Sequence, residues 1–432
     1  MAHHLQTEIT LEHARKRSWP DVEPPAARRL GRLAPAGAPV GIAPLMRGCK
    51  AWIASPPRAD GAISYFADYA GVRYARGTSS GRAALSIILR ALQALRPGRR
   101  VVALPAYTCF SAAAAAVRAG LKLLPVEVDP QTLDYDYARL AAIPANELLC
   151  ILTSNLFGFV NDVPRLRTIA EDKGAYLVDD AAQSLGASRD GNLSGTVSHV
   201  GFFSLGRGKP LPAGEGGIIV SNSPEIAEAL DQQLSRTALS SWGDNAALAA
   251  KVLATSVFIN RYLYWIPDSL PFLKLGTTPF EPGFPVKRIP RLSLGLLREM
   301  LGKLGDLNAA RRQRAAWIVE AIGENSDFTY PSVPARCKPT YLRFPLLARN
   351  RELRDRAVRE LRNAGMGASP YYPSAICEIP GIESHLITPE CHCPQAESLA
   401  ARLLTLPTHA SVEKEDVGRM TRLLELQAAV HS

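Results

Sequence analysis

The sequence predicts an α/β fold in which a mixed, mostly parallel sheet carries helices on both faces and is followed by a smaller α+β domain. Two observations predict it. Short apolar runs alternate with helical patterns from about residue 40 to residue 230, as crossover-connected strands require. Beyond residue 295, a long helical pattern, one apolar strand and further helices follow, which indicates a second unit.

The elements can be assigned in chain order. Apolar residues at helical spacing predict helices over 81–95, 111–120 and 163–174. Apolar runs bounded by Gly, Pro, Asn or Asp predict the strands 101–107, 121–129, 147–155, 175–183, 199–205 and 217–222. In the second unit we predict a helix from about 295 to 324, a strand over 341–348 and a helix over 351–365.

We divide the chain into four parts. Residues 1–38 are rich in Pro, Ala and Arg, and we expect a poorly ordered extension. Residues 39–240 form the large domain, 241–294 an apolar, dimer-facing insert, and 295–432 the small C-terminal domain. Within the insert, charged residues interrupt the apolar stretch 247–275 before it reaches the roughly 20 apolar residues of a membrane span. A buried helix is the favoured interpretation, and a dimer-facing surface or a shallow membrane contact stays open.

Composition narrows the function classes. The net charge of +10 favours anionic partners, but no nucleic-acid-binding motif is recognisable, so we expect small-molecule substrates. The N-terminal stretch lacks the apolar run of a signal peptide. Seven scattered cysteines fit reduced thiols, and together these features predict a cytoplasmic protein. The Cys391-His392-Cys393 cluster lacks a second pair at zinc-ligand spacing, so no metal is predicted.

Chemistry-bearing residues collect at predicted strand ends, where open α/β sheets bind ligands. The turn Gly77–Gly81 opens a helix, and a helix N-terminus suits a phosphate. Asp179 and Asp180 end an apolar strand, and Lys209 follows another within FFSLGRGKPLPAGEGG. A phosphate cradle, an acid and a lone lysine are what a pyridoxal phosphate site needs. Lys209 could also be a surface residue, Asp180 an N-cap and Ser80-Gly81 a plain helix start.

Five motifs in order resemble the DegT/DnrJ/EryC1/StrS family of pyridoxal-phosphate-dependent nucleotide-sugar aminotransferases. They are GTSSGRAAL, VVALPAYTC with the following AGLKLLPVEVDPQTLDYD, NLFGFVNDVPRL, VDDAAQSLGAS with FFSLGRGKPLPAGEGGIIVS, and CPQAESLAARLLTLPTH. The resemblance implies the fold type I aminotransferase architecture, with a three-layer large domain, and a homodimer with shared active sites. It covers the chain from about residue 40 to the C-terminus.

The resemblance assigns roles residue by residue. Lys209 matches the catalytic lysine that binds the cofactor as a Schiff base, and Asp180 the carboxylate that pairs with the pyridinium nitrogen. Gln183 matches the side chain near the phenolic oxygen, while Asp179 receives no role. The remaining cofactor contacts implied are Ser80, Gly81, Arg82, Cys109 and Ser204.

The sequence departs from the family pattern at three places. Arg82 replaces a frequent threonine, so a backbone contact or the guanidinium takes over one phosphate contact. Cys109 replaces the aromatic residue that stacks on the cofactor, for which Tyr107 or Phe110 could substitute. GFPVKRI (283–289) lacks the family's asparagine, which leaves Arg288 as an anion contact in the partner subunit's site.

The resemblance implies transfer of an amino group, by family habit from glutamate, to a keto group on a nucleotide-linked sugar. Such reactions serve surface polysaccharide or secondary-metabolite biosynthesis. Lysine rather than histidine at position 209 argues against the family's dehydratases. Tyr372 resembles a substrate-facing residue, although aromatic packing explains it equally well. A cofactor-binding regulator without turnover, an enzyme acting on a non-sugar cyclic ketone and a membrane-associated assembly factor remain as alternatives.

Overall fold

Seven strands form the central sheet of the computed structural model, which describes residues 31–54, 59–270, 273, 276, 278–323 and 325–429. The larger unit contains, in chain order, α1 (Ile42–Ile53), α2 (Ala59–Ala70), β1 (Tyr74–Thr78), α3 (Gly81–Leu95), β2 (Val101–Pro105), α4 (Phe110–Arg118), β3 (Lys122–Val126), α5 (Tyr137–Ala142), β4 (Leu148–Leu152), α6 (Val163–Asp172), β5 (Tyr176–Asp180), β6 (Ser188–Arg189), β7 (Asn192–Leu193), β8 (Val200–Ser204), β9 (Gly217–Ser221), α7 (Pro224–Ser235), α8 (Trp242–Phe258) and α9 (Trp265–Asp268). All six strands predicted from the sequence in this unit are present.

The sheet is mixed and mostly parallel, as the alternation of strands and helices predicts. Its order is β1-β9-β8-β5-β4-β2-β3, with antiparallel pairing only for β1–β9 and β9–β8. Every residue of β2, β4, β8 and β9 is buried, because helices cover both faces. In the parallel pair of β5 and β8, Asp180 lies opposite Phe202, so the ends of these two strands sit side by side.

Two apolar layers complete the larger unit. One layer packs α3 and α4 against the sheet through residues such as Ile88, Leu92 and Ala113. The other packs α1 and α2 through Leu45 and Phe66. The predicted three-layer architecture is therefore confirmed.

The long helix joins the two units of the chain. The second unit contains α10 (Arg291–Ile322), β10 (Phe328–Thr329), β11 (Cys337–Lys338), β12 (Phe344–Ala348), α11 (Arg351–Asn363), α12 (Pro394–Arg402), β13 (Leu403–Leu406) and α13 (Lys414–Ala429). Leu292 and Leu296 of α10 belong to the core of the larger unit, whereas Ala315 and Ile318 belong to that of the smaller. The helix starts four residues before the predicted position, directly after Pro290.

The smaller unit is an antiparallel sheet covered by helices. Its strands follow the order β10-β12-β13, and β12 and β13 pair from Phe344↔Leu406 to Leu347↔Leu403. Apolar residues of α11 and α13 close one side of this sheet. A short third sheet, β11-β6-β7, links the two units, so a strand from the smaller unit extends a hairpin of the larger one.

The segment 31–38 is packed, in contrast to the expectation of a loose extension over 1–38. Leu33 and Ala34 are each only 2% exposed. The Leu33 N–H donates to the Gly365 carbonyl (2.8 Å), and the Arg32 N–H donates to the Arg261 carbonyl (2.9 Å). These bonds tie the segment to both units of the chain. Residues 1–30 lie outside the described residues.

The part of the apolar stretch from 247 to 258 belongs to a half-exposed helix and not to a buried one, so the favoured interpretation is wrong for these residues. Within α8 only Asn245, Leu248 and Val252 are buried, while Leu253 and Val257 are exposed. The sequence pattern misleads because apolar residues occur on both sides of the helix. In the part of the chain that the structure describes, no helix combines the length and apolarity that crossing a membrane would take.

One cysteine pair also differs from the expectation of reduced thiols. Cys377 and Cys391 form a disulfide, and the remaining five cysteines are free. The two partners lie 14 residues apart on loops of the smaller unit, a pairing that spacing alone does not indicate.

Candidate active site

A cavity of about 700 Å³ opens beside Lys209, beyond the carboxyl end of β8. Arg207 and Lys209 line it from the loop after that strand, and Cys109 lines it from the start of α4. Tyr371 and Tyr372 close it from the smaller unit. The cavity therefore lies where open α/β sheets place their ligands, at strand ends and between two units.

The adjacent carboxylates at the end of β5 have different surroundings. Asp179 is fully buried and accepts hydrogen bonds from the Thr153 hydroxyl (2.6 Å), the Asn155 amide (2.7 Å) and the Gly195 N–H (2.8 Å). These three bonds give Asp179 a structural role, in line with the absence of any functional assignment from the sequence.

Asp180 is the carboxylate with acceptor capacity to spare. Its one backbone partner is the Ala182 N–H at 2.9 Å. Burial raises the pKa of Asp180 to about 6, while the Ala182 N–H and the positive charge of Lys209 oppose the rise. This electrostatic effect indicates that the Asp180 and Lys209 side chains lie near each other. A cationic ring nitrogen there would stabilise the ionised carboxylate.

The glycines around Lys209 shape an irregular loop. Gly208 has φ 73°, which a residue with a side chain adopts only with strain. The Leu205 N–H donates to the Gly216 carbonyl (2.9 Å), and the Arg311 guanidinium donates to the Pro210 carbonyl (3.1 Å). The loop is thus closed at its base and anchored behind the lysine, which presents a half-buried Lys209 to the cavity.

The N-terminus of α3 forms a cradle suited to a phosphate. Ser80 caps the helix, its hydroxyl accepting from the Ala83 N–H (3.2 Å). A Cβ at Gly81 would lie 2.9 Å from the Ser204 Cβ, so only glycine lets the helix start approach β8 this closely. Orphan N–H groups, the helix dipole and the Ser204 hydroxyl thereby meet at one place.

A lysine beside a cavity, together with an acid and a phosphate cradle at the ends of β5 and β8, provides the parts of a pyridoxal phosphate site. The sequence model of the DegT/DnrJ/EryC1/StrS aminotransferase family matches residues 50–425. The chain belongs to this family.

Relatives of this chain include proteins named as aminotransferases. A UDP-N-acetyl-3-dehydro-alpha-D-glucosamine 3-aminotransferase of Acidithiobacillus ferrooxidans is 26% identical over 83% of this chain and 85% of its own. An L-glutamine:2-deoxy-scyllo-inosose aminotransferase of Streptomyces kanamyceticus is 34% identical over 38% of each chain. The structure of Helicobacter pylori PseC, an aminotransferase involved in the biosynthesis of pseudoaminic acid, superposes with a TM-score of 0.76 at 15% identity, covering 92% of this chain and 100% of that one.

Family membership settles the cofactor and the reaction type. The chain is an aminotransferase that uses pyridoxal phosphate, and the cradle fits its phosphate because the helix start and Ser204 approach without intervening side chains. The predicted fold type is likewise confirmed.

Gln183 connects the cofactor region with the smaller unit. Its amide oxygen accepts from the Tyr371 hydroxyl (2.6 Å) and the Phe157 N–H (3.1 Å), and its amide nitrogen donates to the Tyr372 hydroxyl (3.0 Å). Tyr372 is buried yet lines the cavity, and its substrate-facing role stays a prediction.

Neither Tyr107 nor Phe110, the aromatic residues that could replace the one missing at Cys109, lines the cavity beside Lys209. Tyr107 is 1% exposed, and its hydroxyl accepts from the Tyr372 N–H (3.3 Å). It therefore supports Tyr372 from behind. Phe110 is also buried and packs beside Tyr372, with ring centroids 6.5 Å apart. Cys109 itself lines the cavity.

Two predicted arginines point away from the cavity beside Lys209. The Arg82 guanidinium lies over the Phe284 ring, 4.8 Å from its centroid, which favours backbone groups for the phosphate contact. The Arg288 guanidinium donates to the Leu234 carbonyl at the end of α7 (3.2 Å). Arg288 is exposed, and its contact in a partner subunit stays a prediction.

Sequence reasoning missed Arg343, a cationic residue of the smaller unit. Arg343 lines the cavity and lies 5.3 Å from the centroid of the Tyr371 ring. Burial lowers its pKa, whereas the hydroxyls of Tyr371, Tyr372 and Tyr264 oppose this effect. A single arginine within the otherwise apolar run YLRFPLLA was the available signal.

Proposed function

We propose that this aminotransferase transfers the amino group of an amino acid, glutamate above all, to a keto group on a nucleotide-linked sugar. The observation that carries the proposal is that Lys209 and Arg343 line the same cavity. Lys209 can accept and return a proton there, and Arg343 can bind an anion. The enzyme would act in the cytoplasm, in surface polysaccharide or secondary-metabolite biosynthesis.

Pyridoxal phosphate supplies an electron sink for the carbon that loses or gains a proton. The chain's own residues do the rest. The N-terminus of α3 with Ser80 and Ser204 holds the phosphate, and the Asp180 carboxylate holds the ring nitrogen. Lys209 Nζ accepts the proton from the donor's α carbon and returns one to the acceptor carbon. Gln183 orients Tyr371 and Tyr372 over the same space.

Arg343 is our candidate for binding the donor's carboxylate. A guanidinium pairs with a carboxylate in two parallel hydrogen bonds, and its partial desolvation strengthens that pairing. The surrounding tyrosine hydroxyls are neutral partners and leave the charge uncompensated until an anion arrives. Arg343 lies on the same cavity as Lys209, so a carboxylate bound there brings the α carbon towards the lysine.

The cavity has room for a nucleotide-linked sugar. Its volume, about 700 Å³, lies within the range of small-molecule sites. Arg207 supplies positive charge for a diphosphate, and Phe258 and Ile259 supply an apolar wall for a base. The UDP-sugar substrate in the name of one relative supports this class. The inosose aminotransferase favours a cyclic ketone as the second candidate.

The test compares wild-type protein with Lys209→Ala. Wild type should show the visible absorbance of lysine-bound cofactor, and glutamate should bleach it while 2-oxoglutarate appears. Lys209→Ala should lose both properties, whereas Lys303→Ala, which changes an exposed lysine, should keep them. Turnover by Lys209→Ala at the wild-type rate would refute the assignment, and cofactor absorbance that no amino donor changes would favour a regulator.

A second experiment identifies the acceptor. Keto sugars linked to UDP or dTDP and a non-sugar cyclic ketone are each added to the enzyme that carries the aminated cofactor. Return of the visible absorbance with the nucleotide-linked sugars supports the proposal. Return with the cyclic ketone alone would replace it by the second candidate.

We propose further that the enzyme is a homodimer. Exposed apolar side chains of α1 and α8 form one surface, which we call the apolar face; its members are Ile42, Met46, Ile53, Trp242, Leu253 and Val257. The two helices are joined where the rings of Trp52 and Trp242 lie 5.0 Å apart. So many adjacent exposed apolar residues are typical of a protein interface. Because α8 also lines the cavity, a second copy would sit beside the active site.

Light scattering of wild type and of the double variant Met46→Glu/Leu253→Glu tests the dimer. We expect wild type to be a dimer. The double variant should be a monomer, because a dimer would bury its two new carboxylates at the interface without partners. Leu426→Glu, at an exposed position on α13, should stay dimeric. A monomeric wild type would refute the dimer, and a dimeric double variant would refute this face.

A further inference from the structure

Three cysteine sulfurs meet at one place in the smaller unit. Cys391 and Cys393 lie just before α12, and Cys377 lies in a 3-10 turn, Ile376–Glu378. The Cys393 Sγ is 3.5 Å from the Cys377 Sγ and 3.8 Å from the Cys391 Sγ. All three sulfurs lie within 4.8 Å of one another. The cavity beside Lys209 is lined by other residues, so the active-site chemistry does not account for this cluster.

The separations match a tetrahedral metal site. Zinc binds thiolate sulfur at about 2.3 Å, and tetrahedral angles then set the sulfurs about 3.8 Å apart. The two separations that involve Cys393 are already near this value. The third pair, Cys377 and Cys391, is joined by the disulfide. Their Cα atoms are 5.6 Å apart, so side-chain rotation can open the sulfurs once the bond is reduced.

Two carboxylates hold the backbone around the cluster. Glu127 is 9% exposed and accepts from the N–H groups of Gln395 (2.9 Å) and Ala396 (3.3 Å), at the start of the helix that follows Cys393. Glu397 accepts from the Cys393 N–H (3.3 Å). These N–H bonds to Glu127 and Glu397 orient the chain around the sulfurs.

We propose that Cys377, Cys391 and Cys393 bind one zinc ion as thiolates when the disulfide is reduced. A dithiol reductant gives two electrons and two protons to the Cys377–Cys391 bond, which becomes two thiols while the reductant becomes a disulfide. Zinc then displaces the three thiol protons. A water molecule would complete the tetrahedron, as at zinc sites with three protein ligands.

The zinc site would stabilise the position of the segment that carries Tyr371 and Tyr372, which line the active-site cavity. Cys377 follows Tyr372 by five residues, and between them the Ile376 N–H donates to the Ala106 carbonyl, just beyond β2 (2.8 Å). Zinc bound to Cys377, Cys391 and Cys393 would hold this tyrosine-bearing segment against the start of α12. The proposal does not depend on the identity of the acceptor or on Arg343.

Zinc analysis of the full-length enzyme tests the proposal. Wild type, Cys393→Ser and the control Cys49→Ser are reduced with a dithiol, given zinc, freed of excess by gel filtration and measured by elemental analysis. We expect about one zinc per chain in wild type and Cys49→Ser, with at least a tenfold loss in Cys393→Ser. No bound zinc in reduced wild type, or full zinc in Cys393→Ser, would overturn the proposal.

Cobalt serves as a probe that needs no variant. Added to reduced, metal-free wild type, Co²⁺ should produce thiolate-to-cobalt charge-transfer absorbance, and a stoichiometric amount of zinc should abolish it. Unreduced protein should give no such absorbance, because two of the three ligands are then tied in the disulfide. Absence of the absorbance after reduction would refute the site even if Cys393→Ser fails to fold.

Discussion

Replacing Asp180 by Asn should have opposite effects on the enzyme with and without its cofactor. The substitution keeps an oxygen for the Ala182 N–H and removes the charge. Without cofactor, that charge is desolvated at the end of β5, which is why the pKa of Asp180 is raised to about 6. With cofactor, the same charge pairs with a cationic ring nitrogen. Asn should therefore stabilise the apoenzyme and weaken cofactor binding.

The size of the first effect follows from the pKa. A rise from 3.8 to about 6 corresponds to about 3 kcal/mol at 1.36 kcal/mol per unit, an upper limit for a half-buried group. The sign depends on pH. Because the folded-state pKa is the higher one, ionisation costs nothing below about pH 4, and the cost grows until about pH 6 and is complete above it. The gain in Asp180→Asn should be about 1–3 kcal/mol at pH 7.5 and vanish near pH 4.

Urea unfolding of the apoenzymes at pH 7.5 and at the lowest pH that keeps wild type folded measures this difference. Cofactor titration at pH 7.5 should show at least a tenfold weaker affinity for Asp180→Asn, about 1.4 kcal/mol. Asp179→Asn is the matched control and should destabilise the apoenzyme. Its amide N–H₂ would face the Gly195 N–H, so that two hydrogen-bond donors would oppose each other. An apo Asp180→Asn that is less stable than wild type at pH 7.5 would refute the reasoning.

Three further substitutions test the placement of the site. Gly81→Ala should weaken cofactor binding strongly, because the added Cβ would lie 2.9 Å from the Ser204 Cβ; equilibrium titration measures it, and unchanged affinity would contradict the cradle. Arg82→Met should leave cofactor affinity nearly unchanged and cost only about 0.5–1 kcal/mol of stability from the contact with Phe284, whereas a large loss of affinity would restore a phosphate role. Arg343→Gln should raise KM for glutamate at least tenfold and leave cofactor absorbance intact, and an unchanged KM would exclude donor binding there.

Strand-end residues were the predictable part of the site. Asp180 and Lys209 follow two apolar runs whose alternation with helices already implies neighbouring parallel strands. The sheet then brings their ends together without any knowledge of side-chain packing. The same holds for Ser80 and Gly81, because a helix start is a local property of the sequence.

Contacts between distant segments were not predictable. Gln183 meets Tyr371 across 188 positions, and no periodicity links the two. The orientation of Arg82 depends on Phe284, some two hundred residues away. The exposure of α8 depends on which of its two apolar sides finds a partner within the chain. In each case tertiary packing decides, and a local pattern carries no information about it.

Helix α10 has a mechanical consequence for the active site. It contains 32 residues and is therefore about 48 Å long at 1.5 Å per residue. One end packs beside α1 of the apolar face, and the other carries the core of the unit that holds Arg343 and Tyr371. The helix thus acts as a lever arm. A tilt of about 5° at the first end displaces the far end by about 4 Å over this length, more than a hydrogen bond tolerates. In the proposed dimer, a second subunit seated on the apolar face would therefore set the working width of the cleft.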